Sequence, residues 1–406
     1  MLEPIARPLP LRLVEGAVRA LAPIGGPLPR LVPADIEAAA CRVDGVPDLG
    51  PVAFREGLAR ACAAAEAPSS GLGPFGRFAF KELITNALVQ RGRWAALHRA
   101  RDPRLRTPLP PPIVVVGLPR SGTTFLHRML ALCDDARSLA LWEVQAPLPP
   151  PRGRDRRRAE VITRVRMIKR IATHLDAKHF MDADAAEECF PLLNPSMVTP
   201  TWWCMFPLYA YLDWYLEQDQ AGPYALYADL LRVFQAAAPG RRLTLKAPAH
   251  TANLGAMAAA LPRAGFVMTH RDPVPVVASA NSLFYTLHAT VADHVDPLRL
   301  GETALPLLAE LARRAEAARP ALGDRLLDIA YRDLVEDPVG TVARVRAHFG
   351  LPFSDADRGR VQAFVEGRTR HKYGRHEYDL AECGLDEAQV REAFSAIPDR
   401  TDPRQH

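Results

Sequence analysis

Pro108-Leu-Pro-Pro-Pro112, Ile113-Val-Val-Val116 and Gly117-Leu-Pro-Arg-Ser-Gly-Thr-Thr124 stand end to end, and this stretch decides how the chain is read. The prolines cannot continue a helix, so they feed directly into the β-branched run, which reads as a fully buried parallel strand. From Thr124 to Cys133 the spacing of Phe125, Leu126, Met129 and Leu130 predicts one helical face. Strand, glycine-bearing turn and helix in this order aim several backbone N–H groups and the positive end of a helix dipole at one point, an arrangement that suits a phosphate. Gly117 and Gly122 let the chain bend, Ser121, Thr123 and Thr124 add hydroxyls, and Arg120 adds permanent positive charge.

The spacing from Gly117 to Gly122 matches the first half of a Walker A loop, but Thr123 stands where a nucleotide triphosphatase carries its Lys. That Lys reaches the β- and γ-phosphates and the next Ser or Thr holds magnesium. Its replacement argues against splitting of ATP or GTP and favours a donor with fewer phosphates.

Outward from the loop, Arg242-Leu-Thr-Leu-Lys246, Gly265-Phe-Val-Met-Thr269 and Arg325-Leu-Leu-Asp-Ile-Ala330 read as further strands. Helical stretches follow them at Asn253 to Leu261, Pro275 to Ser282 and Val339 to Phe349. Strands alternating with helices imply an α/β fold with a central parallel sheet covered on both faces, a three-layer sandwich. Residues 1–108 read as a helical N-terminal extension, with apolar positions three and four apart over Leu11 to Leu21 and Phe78 to Arg99. Residues 109–352 form the α/β core, with a helical, aromatic-rich insertion at about 147–238, and residues 353–406 form a C-terminal segment. Within the insertion, Arg152 to Arg158 reads as a solvated linker, Glu160 to Leu175 as a helix, and the aromatics from Trp202 to Tyr227 as core before ligand cage.

Of 406 residues, 48% are hydrophobic and 24% charged, and the mean hydropathy is −0.08, the values of a globular protein. The net charge of +5 is read as a mild basic excess spread along the chain, which favours anionic ligands without implying nucleic acid. No stretch reaches the roughly 18 apolar residues of a membrane span. The start lacks a secretory signal, so a cytoplasmic location is expected. Six scattered cysteines without CxxC pairs imply reduced thiols, and neither structural zinc nor another metal is expected.

A second anion anchor follows the third long strand. His270-Arg-Asp-Pro273 ends it, and Ser279 lies eight positions after Arg271 on the ensuing helix, so an Arg and a hydroxyl can converge on one anion. With both motifs in hand, the chain resembles the sulfotransferase superfamily, in which a Pro-[Arg/Lys]-Ser-Gly-Thr-Thr loop binds the 5'-phosphosulfate of adenosine 3'-phosphate 5'-phosphosulfate (PAPS). Pro119-Arg-Ser-Gly-Thr-Thr124 matches throughout, in the Arg-bearing form of the bacterial branch. The resemblance spans about residues 110–352. It implies a P-loop NTPase-like fold, PAPS as co-substrate, and adenosine 3',5'-bisphosphate as product. It also implies a 3'-phosphate site at Arg271 and Ser279, and sulfuryl transfer to a hydroxyl or amine without a metal.

The same resemblance suggests that Arg370 and Lys372 close over the donor, although Tyr373 interrupts the family's Arg-Lys-Gly pattern. Arg120 and Lys246 are expected to stabilise the leaving phosphate. Two residues compete for the acceptor's proton: Glu143 in Leu141-Trp-Glu143, and His250 in Lys246-Ala-Pro-Ala-His250. The acidic group Asp182, Asp184, Glu187 and Glu188 reads first as a solvated helix start and otherwise as acceptor positioning. The aromatic insertion hints at a small apolar or aromatic acceptor, and the oligomeric state is not readable. A P-loop kinase or nucleotide hydrolase, and a non-catalytic nucleotide-binding protein, are the alternative readings.

Overall fold

The computed structural model describes residues 8–21, 28–171, 181–367 and 379–401. Four helices come first, α1 (Leu9–Leu21), α2 (Pro33–Asp44), α3 (Phe54–Glu66) and α4 (Pro74–Arg99). The decisive stretch forms β1 (Ile113–Gly117) and α5 (Thr123–Leu130), followed by a two-residue strand β2 (Ala136–Arg137) that has no sequence periodicity to announce it. The insertion supplies α6 (Leu141–Gln145), α7 (Arg157–Ile171), α8 (Thr201–Met205), α9 (Tyr209–Leu216) and α10 (Ala221–Ala237). Then come β3 (Arg242–Lys246), α11 (Leu254–Ala260), β4 (Gly265–His270), α12 (Pro273–Val291) and α13 (Pro297–Leu322). The chain continues through β5 (Leu326–Ala330), α14 (Tyr331–Glu336), α15 (Pro338–His348), α16 (Asp355–Glu366) and α17 (Glu387–Phe394).

The strands form one parallel sheet in the order β2-β3-β1-β4-β5. All five residues of β1 are buried, as the unbroken β-branched run requires of a central strand covered on both sides. Its side chains alternate between two cores. Val114 and Val116 join α10 and α11 on one face, while Ile113 and Val115 join α5, α15 and α16 on the other. Strand order reverses about β1, so a crevice opens at the carboxyl ends of β1, β3 and β4, the place where open α/β sheets take their ligands.

Helix α12 outruns its expected end at Ser282 because the apolar sequence continues to Val291 without a breaker. It starts sharply, with Pro273 in the first turn and the Asp272 carboxylate accepting from the Val274 amide.

A third core joins the N-terminal helices to the insertion. Ile36, Leu58, Phe80 and Ile84 pack with Trp202, Trp203 and Phe206, and Phe80 meets the Trp202 and Phe206 rings edge-on at 6.1 and 5.2 Å. Such pairs add about 0.5–1.5 kcal/mol each beyond area burial. Buried Arg91 crosses this seam, donating to the carbonyls of Pro51 and Pro195 and lying 4.4 Å from the Phe54 ring. These aromatics are core, and they fix the insertion against the N-terminal helices, α12 and α13. No helix among the described residues is long and apolar enough to cross a membrane.

Candidate active site

The turn after β1 depends on its glycines. At Gly117, with φ +127°, a Cβ would lie 2.5 Å from the Thr269 carbonyl of β4. At Gly122, with φ +97°, it would lie 2.8 Å from Leu334 and 3.1 Å from Tyr331, both on α14. Between them Arg120 adopts a left-handed conformation, φ +68°, that costs a non-glycine residue about 1–2 kcal/mol. Its carbonyl is held there by the Arg271 guanidinium, 2.9 Å away. The Thr251 hydroxyl clasps Gly117, accepting from its N–H at 2.9 Å and donating to its carbonyl at 3.0 Å. The first amides of α5 have no intrahelical acceptor and face the open side of the turn.

The hydroxyls of the loop divide their work. Ser121 was expected to donate to a ligand, but its buried hydroxyl bonds inward to the Leu118 carbonyl at 2.6 Å and to Thr269 Oγ1 at 2.7 Å. It shapes the loop. Thr123 is buried, whereas Thr124 is exposed at the crevice.

The two expected anchors meet. Arg120 Nε donates to Ser279 Oγ at 3.0 Å across 159 positions of sequence. Arg271, besides gripping the loop, stacks over Tyr331 with its guanidinium carbon 4.3 Å from the ring centroid. Tyr331 was not anticipated from the sequence, because a lone Tyr after a strand carries no local signal.

At the end of β3, Lys246 is almost fully buried, its side chain 2% exposed, and only its ammonium reaches the crevice. Nζ lies 3.3 Å from Thr124 Oγ1 and 2.8 Å from Glu188 Oε1. The segment bearing Glu188 is no helix start, as the acidic run suggested. Asp182–Ala185 is a turn, Asp184 pairs with Arg158 at the surface, and the chain then runs extended beside Leu139 and Ala140. The segment is pinned to β3, since the Cys189 amide donates to the Lys246 carbonyl at 3.0 Å. Burial, joined by the Glu188 charge, pushes the Cys204 thiol of α8 up to about 12.

Neither expected base is free for that task. Glu143 is occupied as a helix cap: Oε1 accepts from Arg137 at 2.7 Å, and Oε2 reaches back to the Ala140 amide at 2.9 Å at the start of α6. His250 is completely buried below the crevice. Its Nδ1 is 2.7 Å from the Tyr224 hydroxyl and its Nε2 3.3 Å from Cys189 Sγ, which also accepts from Tyr227 at 3.2 Å. Burial drives its pKa down to about 3, so it stays neutral. Arg370 and Lys372 lie outside the described residues.

A parallel sheet, a glycine turn opening a helix, and cations converging on it from three strand ends define a P-loop-like enzyme that handles an anionic group. A family model described as Sulfotransferase family matches residues 111–355, and the chain belongs to that family. It is 25% identical over 342 residues to the omega-hydroxy-beta-dihydromenaquinone-9 sulfotransferase Stf3 of Mycobacterium bovis, covering 80% of this chain and 82% of that one. Among solved structures it is similar to sulfotransferase STF1 of Mycobacterium tuberculosis H37Rv, with TM-score 0.74 and 29% identity over 91% of this chain and 100% of that chain. Sulfotransferase STF9 of Mycobacterium avium gives TM-score 0.79 and 25% identity over 90% of this chain and 97% of that chain. The chain is therefore a sulfotransferase of the bacterial branch on a P-loop NTPase-like fold, and neither kinase nor nucleotide hydrolase.

Proposed function

We propose that this sulfotransferase uses PAPS and delivers the sulfuryl group to a hydroxyl on a small, largely apolar acceptor, with Glu188 as the base. The observation that carries the donor assignment is the contact of Arg120 with Ser279. It brings the loop for one phosphate against the helix for another, as a nucleotide phosphorylated at both the 5' and 3' positions requires. PAPS, when bound, supplies the sulfuryl group on a phosphate leaving group.

Arg120, the α5 amides and Thr124 hold the 5' end, while Arg271 and Ser279 hold the 3'-phosphate, each charge-assisted bond contributing about 1.5–3 kcal/mol. Lys246, paired with Glu188 and aimed by its buried stem, offsets negative charge that develops on the departing phosphate oxygen. Glu188 takes the acceptor's proton, because its carboxylate accepts from the same Lys246 ammonium that reaches Thr124 of the loop. Glu143 keeps a structural role as a cap, and His250 with Cys189 and Tyr224 forms a neutral floor that sets the height of Lys246.

The acceptor class follows from the apolar character of the insertion, where Cys204 and Met205 border the aromatic core. The relative named for an omega-hydroxylated menaquinone supports the same class.

Thermal shift with adenosine 3',5'-bisphosphate against ATP plus magnesium tests the donor. Stabilisation by the bisphosphate is expected, and stabilisation by ATP-magnesium alone would overturn the assignment. Labelled PAPS offered with long-chain alcohols, phenols and sugars tests the acceptor. Transfer to sugars in preference to the apolar alcohols would refute the acceptor class.

A further inference from the structure

The basic excess of this chain is not spread along it. Between Arg152 and Arg170 stand nine Lys or Arg against two acids, Asp155 and Glu160, a net of +7; the whole chain carries +5, so everything else sums to −2. The structure places this segment on the surface. Val161 and Val165 anchor α7 inward, while Arg154, Arg156, Arg166 and Arg170 are exposed, with Met167 exposed among them.

A second feature lies close by. Helix α1 is turned the wrong way for a globular protein in water: Glu15 is buried, whereas Leu9, Leu13 and Val14 are exposed at 63%, 65% and 60%. The inward carboxylate has a partner, accepting from the Phe75 amide at the start of α4 at 3.3 Å, and Arg19 ties the helix to Asp293 at 2.6 Å. One turn along α4, Phe78 is half exposed. Two turns further, Asn86 donates to the Gln145 carbonyl at 2.8 Å, and Arg164 of α7 donates to the Gln145 side chain at 2.9 Å. The apolar tips of α1 and Phe78 and the start of the α7 contact thus lie along three turns of α4, roughly 16 Å from Phe75 to Asn86.

We infer that this face docks on an anionic lipid bilayer. A concentrated cationic charge calls for an anionic partner, and unpartnered leucines beside it call for an apolar medium. The surface of an anionic bilayer offers both, headgroups for the arginines and the acyl boundary for Leu9, Leu13, Val14 and Phe78. Nucleic acid would meet the charge and leave the leucines in water. Arg158 of α7 pairs with Asp184, four residues before Glu188, so docking through α7 would set the acceptor side of the crevice near the membrane. The inference goes beyond the donor and acceptor chemistry and has its own readout.

The test is co-sedimentation of the full chain with vesicles of phosphatidylcholine alone and of phosphatidylcholine mixed with phosphatidylglycerol. Binding to the mixed vesicles only, weakened by salt, is expected. Each exposed arginine should contribute about fivefold to the partition coefficient, so the triple charge reversal Arg154→Glu, Arg156→Glu, Arg166→Glu should bind at least about a hundredfold more weakly. Leu13→Ser with Phe78→Ser should lose at least about tenfold at unchanged charge. Binding of adenosine 3',5'-bisphosphate, measured on every variant, reports that the fold is intact. The inference falls if the mixed vesicles leave the protein in the supernatant, if the triple variant binds them as the wild type does, or if duplex DNA strips the protein from them. A failure of bisphosphate binding in the wild type would strike the donor assignment and leave this one standing.

Discussion

The two walls of the crevice hold charge in different ways. The donor wall, made by the loop after β1 and the start of α12, uses backbone amides and guanidinium groups that stay charged at any ordinary pH, and glycines bring the backbone close. The acceptor wall, made by β3 and the inserted segment around Glu188, sets one partly buried ion pair on a floor of side chains kept neutral by burial: Cys189, Tyr224, Tyr227 and His250. The first wall binds an anion that is already there. In the proposed mechanism the second accepts a proton and holds an ammonium at fixed height, and a neutral floor does this without competing for the proton.

The largest test of this division is Glu188→Gln. The amide keeps a hydrogen-bond acceptor for Lys246 but cannot take a proton, so kcat should fall about 10²- to 10⁴-fold while affinity for adenosine 3',5'-bisphosphate changes little. Single-turnover kinetics with calorimetry separate the two quantities. A rate within a few-fold of wild type would return the base to another residue, and a lost bisphosphate site would merge the two walls.

The neutral floor makes a pH prediction whose sign is fixed. His250 holds its proton far less well in the fold, near pH 3, than in the unfolded chain, near 6.5, so between these values the unfolded state binds the extra proton. Stability from this residue is complete above about pH 6.5 and is lost as the pH falls. Urea denaturation at pH 6 and pH 5 should therefore show a loss in the wild type about 1.4 kcal/mol larger than in His250→Gln. Equal losses would mean that the folded protein protonates this imidazole, and that the floor is wet.

Ser279→Ala sharpens the donor side. Losing one hydroxyl that faces both Arg120 and the 3'-phosphate site should weaken adenosine 3',5'-bisphosphate about tenfold, about 1.4 kcal/mol, and leave adenosine 5'-monophosphate nearly unaffected. An equal loss for both nucleotides would place the hydroxyl elsewhere.

The same contrast explains what could be read before the fold was known. The donor wall is local in sequence: the β-branched strand, Gly117, Gly122 and Arg120 lie within twelve residues, and Arg271 and Ser279 lie within one strand-to-helix turn. Each carries a backbone requirement that shows in residue type. The acceptor wall is made by tertiary contact. Glu188 sits in an acidic run whose most economical local reading is a solvated helix start, and nothing short of the β3 pairing of Cys189 with Lys246 turns it inward. Ser121 shows the converse limit, a motif residue in the right place whose hydroxyl serves the loop itself. Edge strand β2, two residues long, lies below any periodicity.

Glu143 is where the two kinds of reading disagree most, and the smallest expected effect decides between them. In the sequence it stands as one of two candidate bases, about ten residues beyond the loop helix. In the fold both its oxygens are engaged, one by Arg137 and one by the Ala140 amide. Glu143→Gln keeps the cap and weakens the ion pair, so it should cost at most about 1 kcal/mol of stability and leave kcat within about threefold. Glu143→Ala removes cap and pair together, and should lower stability further, still with bisphosphate affinity intact. A hundredfold loss of kcat in the Gln variant without a matching loss of stability would show that α6 rearranges when the acceptor binds, freeing Glu143 for the proton and reducing Glu188 to a partner of Lys246.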